Sequence, residues 1–256
     1  MASFGKRASL SIAVILVALG SLALYLVTMA PSLSLGHGGS DGAELAVAVH
    51  TLGVPHPTGY PTYVLLGQLF RVLPWGSLAG RLNLFSACAA AATVGLVSLL
   101  AAELLLQRGI SNHRDAERTG KPRGWNREAA EHSILPRIVA ASTAGLALAA
   151  AGLFWSEAVR AEVYTLHTLF LALGMLFLLR WRRCRDANLP LAGLFLGLGL
   201  GNHLSLFFLL AAAAFFLLLF GTPQSPRWLL AKGRVDEART VLQKCAADTG
   251  GVEEEI

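Results

Sequence analysis

The chain has 256 residues, 54% of them hydrophobic and 14% charged, with a mean hydropathy of +0.56. A soluble domain carries about 25% charged residues, so the composition excludes an ordinary soluble protein and points to a membrane one. The net charge of +5 lies in connections between apolar runs, which argues against nucleic-acid binding, and three scattered cysteines (Cys88, Cys184, Cys245) suggest neither a disulfide framework nor a metal cluster.

At the N-terminus, Lys6 and Arg7 precede an apolar run over residues 8–30. This resembles a signal peptide, but 23 residues exceed a typical signal core, and at about 1.5 Å per residue they cross a hydrocarbon layer of about 30 Å. We read the run as a first transmembrane helix and uncleaved signal anchor. Further apolar runs cover about 82–106, 134–154, 163–180 and 189–220.

Charge orients them. The polar connection 107–133 with Arg137 carries seven Lys or Arg, and WRRCRD near 181–186 is also basic, so both belong inside with Lys6 and Arg7. An even number of crossings must then separate residue 7 from residue 107. Residues 60–74, bounded by Pro57, Pro61 and Pro74, are therefore read as a helix at the outer interface. The run 189–220 would be about 48 Å long as one helix. It is interrupted at Gly201-Asn202-His203, and two short helices turning outside at Asn202-His203 would return the basic tail to the inside. The expectation is an all-α membrane bundle of about six transmembrane helices, with a helical first outer loop and a cytoplasmic N-terminus. Residues 221–256 form a soluble cytoplasmic tail, with a short amphipathic helix over 236–246 and Gly250-Gly251 before an acidic end.

The outer loop over residues 40–63, SDGAELAVAVHTLGVPHPTGYPTY, carries the chemistry. Asp41 and Glu44 are the only acids before Glu103. Their spacing fits a capping box at the start of a helix to about Leu52, after a sharp turn at Gly36, Gly38 and Gly39. It also fits a general base, since burial beside apolar walls raises a carboxylate pKa. In HPTGYP, two prolines and a glycine fix the backbone and present His56 and Tyr60. The bland alternative there is a structural turn with Tyr60 at the membrane interface.

WSEAVRAEVYTLH places Glu157, Arg160, Glu162, Tyr164 and His167 at a membrane boundary. An acid there needs a partner or a cavity, or simply favours the helix N-terminus, and Arg160 suits either Glu162 or a phosphate. Asn202 and His203 break an apolar run, which suggests a polar cavity more than plain helix packing.

The blocks GSDGAELAVAVHTLGVPHPTGYPTYVLLG, GRLNLFSA, FWSEAVRAEVYTLH and GLGLGNHLSL resemble, in order and spacing, a family of membrane proteins grouped with the C-type (GT-C) glycosyltransferases. That family includes an animal protein O-mannosyltransferase. The resemblance covers about residues 8–220 and implies a membrane glycosyltransferase-like domain, or its N-terminal part, over residues 1–220. It implies a sugar, mannose in the animal case, taken from a polyprenyl-phosphate donor to a hydroxyl of an acceptor protein or glycan on the outer or lumenal side. The membrane is then a bacterial inner membrane or, in a eukaryote, the endoplasmic reticulum. The resemblance implies that Asp41 or Glu44 supplies the catalytic acid, and that Arg81 and Arg160 face the leaving phosphate. His56, Tyr60, Glu162, Tyr164, His167, Asn202 and His203 would shape the sugar and donor pocket. No metal ligand set or cofactor follows, and a divalent cation is left open. Family members are usually much longer, with further membrane helices.

SPRWLLAKGRVDEARTVLQK, over residues 225–244, resembles the segment after the sixth helix of major facilitator sugar transporters. Half of such a transporter is the alternative reading, and an inactive membrane scaffold a third.

Overall fold

A computed structural model describes residues 2–33, 41–118, 134–184, 188–221, 229–230 and 232–248. The turn at Gly36, Gly38 and Gly39, Arg185 and Asp186 of the basic run, the start of the transporter-like stretch at Ser225, and Gly250-Gly251 lie outside the described residues.

Among the described residues there are ten α-helices and no strand. They are α1 (Ala2–Thr28), α2 (Gly42–Thr51), α3 (Pro61–Arg71), α4 (Leu78–Arg118), α5 (Leu135–Ala149), α6 (Gly152–Ala158), α7 (Tyr164–Cys184), α8 (Asn188–Leu200), α9 (Leu206–Gly221) and α10 (Val235–Asp248). The chain divides into two compact units, Met1–Phe207 and Phe208–Ile256.

Among the described residues, three helices are long and apolar enough to cross a membrane: Ala8–Thr28 of α1, Leu78–Leu105 of α4 and Tyr164–Arg182 of α7. A fourth is reached if α5 and α6, bent by 69° at their junction, count as one span. α8, at 13 residues, is about 20 Å long. Against the six crossings read from charge and length, the described residues show three or four. α3, at 11 residues, is about 16 Å long and too short to span. α4 continues as helix to Arg118, well into the polar connection, where Gln, Arg, Ala and Glu are good helix formers.

In the first unit α4 is the hub, packing against α1, α2, α3, α5, α6 and α7. Its middle, SACAAAATVG, presents small side chains, and these let helices approach closely where apolar lipid supplies no drive to associate. Gly145 of α5 shows how close: a Cβ there would run into Ser98 of α4 and come within 2.9 Å of Val17 of α1. Tyr25, Ala87, Ala90, Val94, Ala149 and Ala158 fill this side of the core. Leu45, Val49, Tyr63, Leu82, Phe85, Val163, Leu166 and Phe170 fill the other, under α2 and α3.

Backbone groups freed at helix ends are tied across the unit. Asn83 of α4 donates to Ala30 O at 2.7 Å and Ser32 O at 3.0 Å, fixing the exit of α1. Thr62, at the start of α3, donates its N–H to Gly201 O at 3.0 Å and its hydroxyl to Leu198 O at 2.8 Å. These are carbonyls that the C-terminus of α8 leaves without helical partners. Asn202, fully buried, donates to Val163 O at 2.9 Å, just before α7. The starts of α3 and α7 and the end of α8 are thereby pinned together, and the site lies at that junction.

Candidate active site

Asp41 occupies the N-cap position of α2, as the capping-box reading expects, but its side chain makes no capping hydrogen bond. Glu44 does not reach back either. Its carboxylate turns to the HPTGYP loop, where Oε1 accepts the His56 backbone N–H at 2.6 Å and Oε2 meets His56 Nδ1 at 2.8 Å. The Pro- and Gly-rich loop makes this reach across 12 residues achievable. It closes with Gly59 at φ +88° and Tyr60 at φ +42° immediately before Pro61 opens α3.

On its other edge, His56 Nε2 lies 2.9 Å from the Tyr60 hydroxyl and 3.6 Å from Asp41 Oδ2. The hydrogen bond to His56 holds the Glu44 carboxyl below its ordinary range. The same bond, assisted by the charges of Asp41 and Glu44, pushes the His56 imidazole up. Both shifts favour an imidazolium paired with a carboxylate, with Asp41 beside it. Asp41, Glu44 and His56 each bring an oxygen or nitrogen within 4.8 Å of the others. These are donor types that suit a divalent cation. The same atoms also satisfy one another through the His56 protons, so the geometry does not require a metal.

Glu162 lies beneath. It is 3% exposed, and the Ser86 hydroxyl both accepts its N–H at 3.1 Å and donates to its C=O at 3.2 Å. Burial pushes the Glu162 carboxyl up to about 7; Glu157 and Asp41 add to the rise, while Arg160 and the Asp41 backbone N–H, which bonds to the carboxyl, oppose it. Arg160 is held between two acids, 2.6 Å from Glu157 and 3.6 Å from Glu162. Its charge is already answered, in contrast to the free phosphate ligand that the resemblance implies.

A chain of rings continues from Tyr60. The Tyr60 ring stacks on His203 at 5.9 Å and 13°, and Tyr164 and His167 each place a ring 5.4 Å from His203. The structure therefore brings together Asp41, Glu44, His56 and Tyr60, extends them through Tyr164, His167 and His203, and sets Arg160 and Glu162 below. Asn202 serves the backbone at the junction. Arg81 is not brought to this cluster. Its guanidinium donates to the carbonyls of Arg71 and Leu73 and closes the end of α3.

The sequence reading missed two residues of the site and the partner of a third. Ser86 and Ser205 lie in apolar runs, and a serine there looks the same whether or not it bonds a neighbour. Glu157 was visible, but only the three-dimensional turn shows that it shares Arg160.

Residues 41–227 match the family model for the N-terminal domain of protein O-mannosyl-transferase TMEM260. The chain belongs to this family. Among curated relatives, protein O-mannosyl-transferase TMEM260 of Mus musculus is 30% identical over 173 residues, covering 65% of this chain and 19% of the mouse protein. Protein O-mannosyl-transferase tmem260 of Dictyostelium discoideum is 29% identical over 103 residues, covering 39% of this chain and 12% of that protein. The chain thus spans less than a fifth of the length of either relative. No solved structure matches it. The whole cluster from Asp41 to His203 falls within the part that defines the family.

Proposed function

We propose that the chain carries the catalytic end of a membrane glycosyltransferase that moves mannose from a polyprenyl-phosphate donor to a hydroxyl of an acceptor protein or glycan. The observation that carries this reading is the Asp41–Glu44–His56–Tyr60 cluster, lying within the family-matched residues of a helical membrane protein. In this reading six crossings, α8 and α9 included, place the cluster on the lumenal or outer side with the N-terminus cytoplasmic. Residues 221–256 are then a cytoplasmic tail. The relatives' names support the transferred sugar, and in this reading the membrane of a eukaryotic protein is the endoplasmic reticulum.

The two first-loop acids take different parts. Both Glu44 oxygens accept from His56, whereas the Asp41 carboxylate has, among the described residues, the single longer contact to His56. Asp41 is therefore the carboxylate available to an incoming hydroxyl. It removes the acceptor proton as the oxygen attacks the anomeric carbon, and the bond from that carbon to the donor phosphate breaks. His56, when protonated, supplies a positive charge beside Asp41 for the departing phosphate. A positioned base contributes about 10²–10⁴-fold.

Membranes containing the protein, given polyprenyl-phosphate mannose and an acceptor peptide with hydroxyl side chains, should form mannosylated product. Asp41→Asn should lower the rate by about 10²-fold or more. Normal rates in both Asp41→Asn and Glu44→Gln would remove the catalytic assignment.

A further inference from the structure

Ser205 lies between two imidazoles. Its hydroxyl is 2.8 Å from His203 Nδ1 and 3.3 Å from His167 Nε2. Its backbone N–H donates to the same His203 Nδ1 at 3.2 Å. A nitrogen that accepts a backbone N–H carries no proton of its own, so the Ser205 hydroxyl must donate to it as well. The hydroxyl oxygen is then left to accept from His167 Nε2–H, and His167 Nδ1 is the bare nitrogen, buried without a partner among the described residues. In a neutral His203 the one ring proton is consequently on Nε2.

That Nε2–H has no acceptor among the described residues. The ring that bears it stacks on Tyr60 on one side and is met by Tyr164 on another. Tyr164 is 45% exposed. Tyr60 ends at His56, so this N–H donor lies one side chain from the carboxylate cluster. An uncharged donor beside an accessible aromatic ring suits a ligand with alternating C–H faces and hydroxyls. It suits a phosphate poorly, since none of the rings and hydroxyls around His203 is a fixed cation.

We propose that His203 donates Nε2–H to a hydroxyl of the donor's pyranose ring, with Tyr164 as the face on which the ring rests. Ser205 is a positioning residue that fixes the His203 tautomer. The proposal rests on the transferase reading and specifies which part of the donor this half of the site holds. A site built to bond a hydroxyl rejects analogues that lack it far more strongly than an apolar pocket rejects an extra methylene.

The test uses the protein in membranes with short-chain polyprenyl-phosphate mannose, together with ¹⁵N NMR of labelled histidine, the His203 signals being assigned by their loss in His203→Gln. The parent should show a bare Nδ1 and a protonated Nε2 at His203. Ser205→Ala should lose that signature and raise KM about tenfold, the worth of one hydrogen bond, with kcat changed far less; Ser205→Thr should restore both. His203→Phe, which keeps the ring, should raise KM similarly. A protonated Nδ1 in the parent, or parent-like KM in both Ser205→Ala and His203→Phe, would overturn the subsite alone. A parent that neither binds nor uses the probe, with its tautomer as expected, would overturn the transferase reading and the sugar assignment with it.

Discussion

Glu44 grips His56 through both of its oxygens, one on the backbone N–H at 2.6 Å and one on Nδ1 at 2.8 Å. A single carboxylate thereby fixes the loop and the ring together, and the free edge of the ring faces Tyr60 and Asp41. The His56 pKa is raised, so its pairing contributes fully below 6.5 and is lost as pH rises through the raised value. The Glu44 pKa is lowered, so its contribution is present above 4.5 and is lost as pH falls through the lowered value. Pairing is therefore complete between pH 4.5 and 6.5 and persists somewhat beyond both limits. In Glu44→Gln the His56 titration, followed by NMR of its ring protons, should move down toward 6.5. An unchanged titration would show that Glu44 does not hold the imidazolium.

Glu162 has the opposite sense for an acid. Its carboxyl is raised from 4.5 to about 7, so the fold favours the neutral form, with that advantage complete below 4.5 and lost as pH rises through about 7. At about 1.36 kcal/mol per unit, keeping it ionised costs on the order of 3 kcal/mol, the attraction of Arg160 already included. Glu162→Gln should unfold at higher temperature than the parent at pH 8 in detergent, and the gap should close by pH 4.5. A gap of equal size at both values would mean that the substitution acts through packing instead.

Asn202 joins α8 to the start of α7 with no exposed surface. Removing its amide takes away one of the two donors to Val163 O, which keeps the His167 N–H at 3.0 Å, a loss of about 0.5–1.5 kcal/mol. Asn202→Ala should lower thermal stability by that amount. The His56 titration should stay in place, because the Glu44–His56 pair does not depend on that bond.

Arg81 gives a control for the phosphate role. Its guanidinium is committed to the carbonyls of Arg71 and Leu73, so Arg81→Ala should lower stability while leaving KM for the lipid-linked sugar near the parent value. A tenfold rise in KM without loss of stability would return it to the site.

The long apolar helices α1, α4 and α7 were legible because hydropathy adds up along a run, whatever the run packs against. The HPTGYP turn was legible because proline and glycine restrict the backbone locally. The 69° bend between α5 and α6 was not, since no proline marks Ala150-Ala151 and only packing distinguishes a bend there from continued helix. Glu44 could be seen as a cap or a base, but its bond to His56 joins residues 12 apart through a loop whose path no local pattern specifies. The bonds of Arg81 to the Arg71 and Leu73 carbonyls were not legible for a related reason: an arginine that closes a helix end and one that waits for phosphate have the same sequence neighbourhood.

The most direct test is the single-turnover rate of mannosyl transfer from polyprenyl-phosphate mannose by Asp41→Asn in membranes, beside the parent and Glu44→Gln. Asp41→Asn should bind the donor yet transfer at least about 10²-fold more slowly, while Glu44→Gln retains partial activity that falls off at lower pH than the parent's. Parent-like transfer by Asp41→Asn would contradict the assignment of that carboxylate as the base.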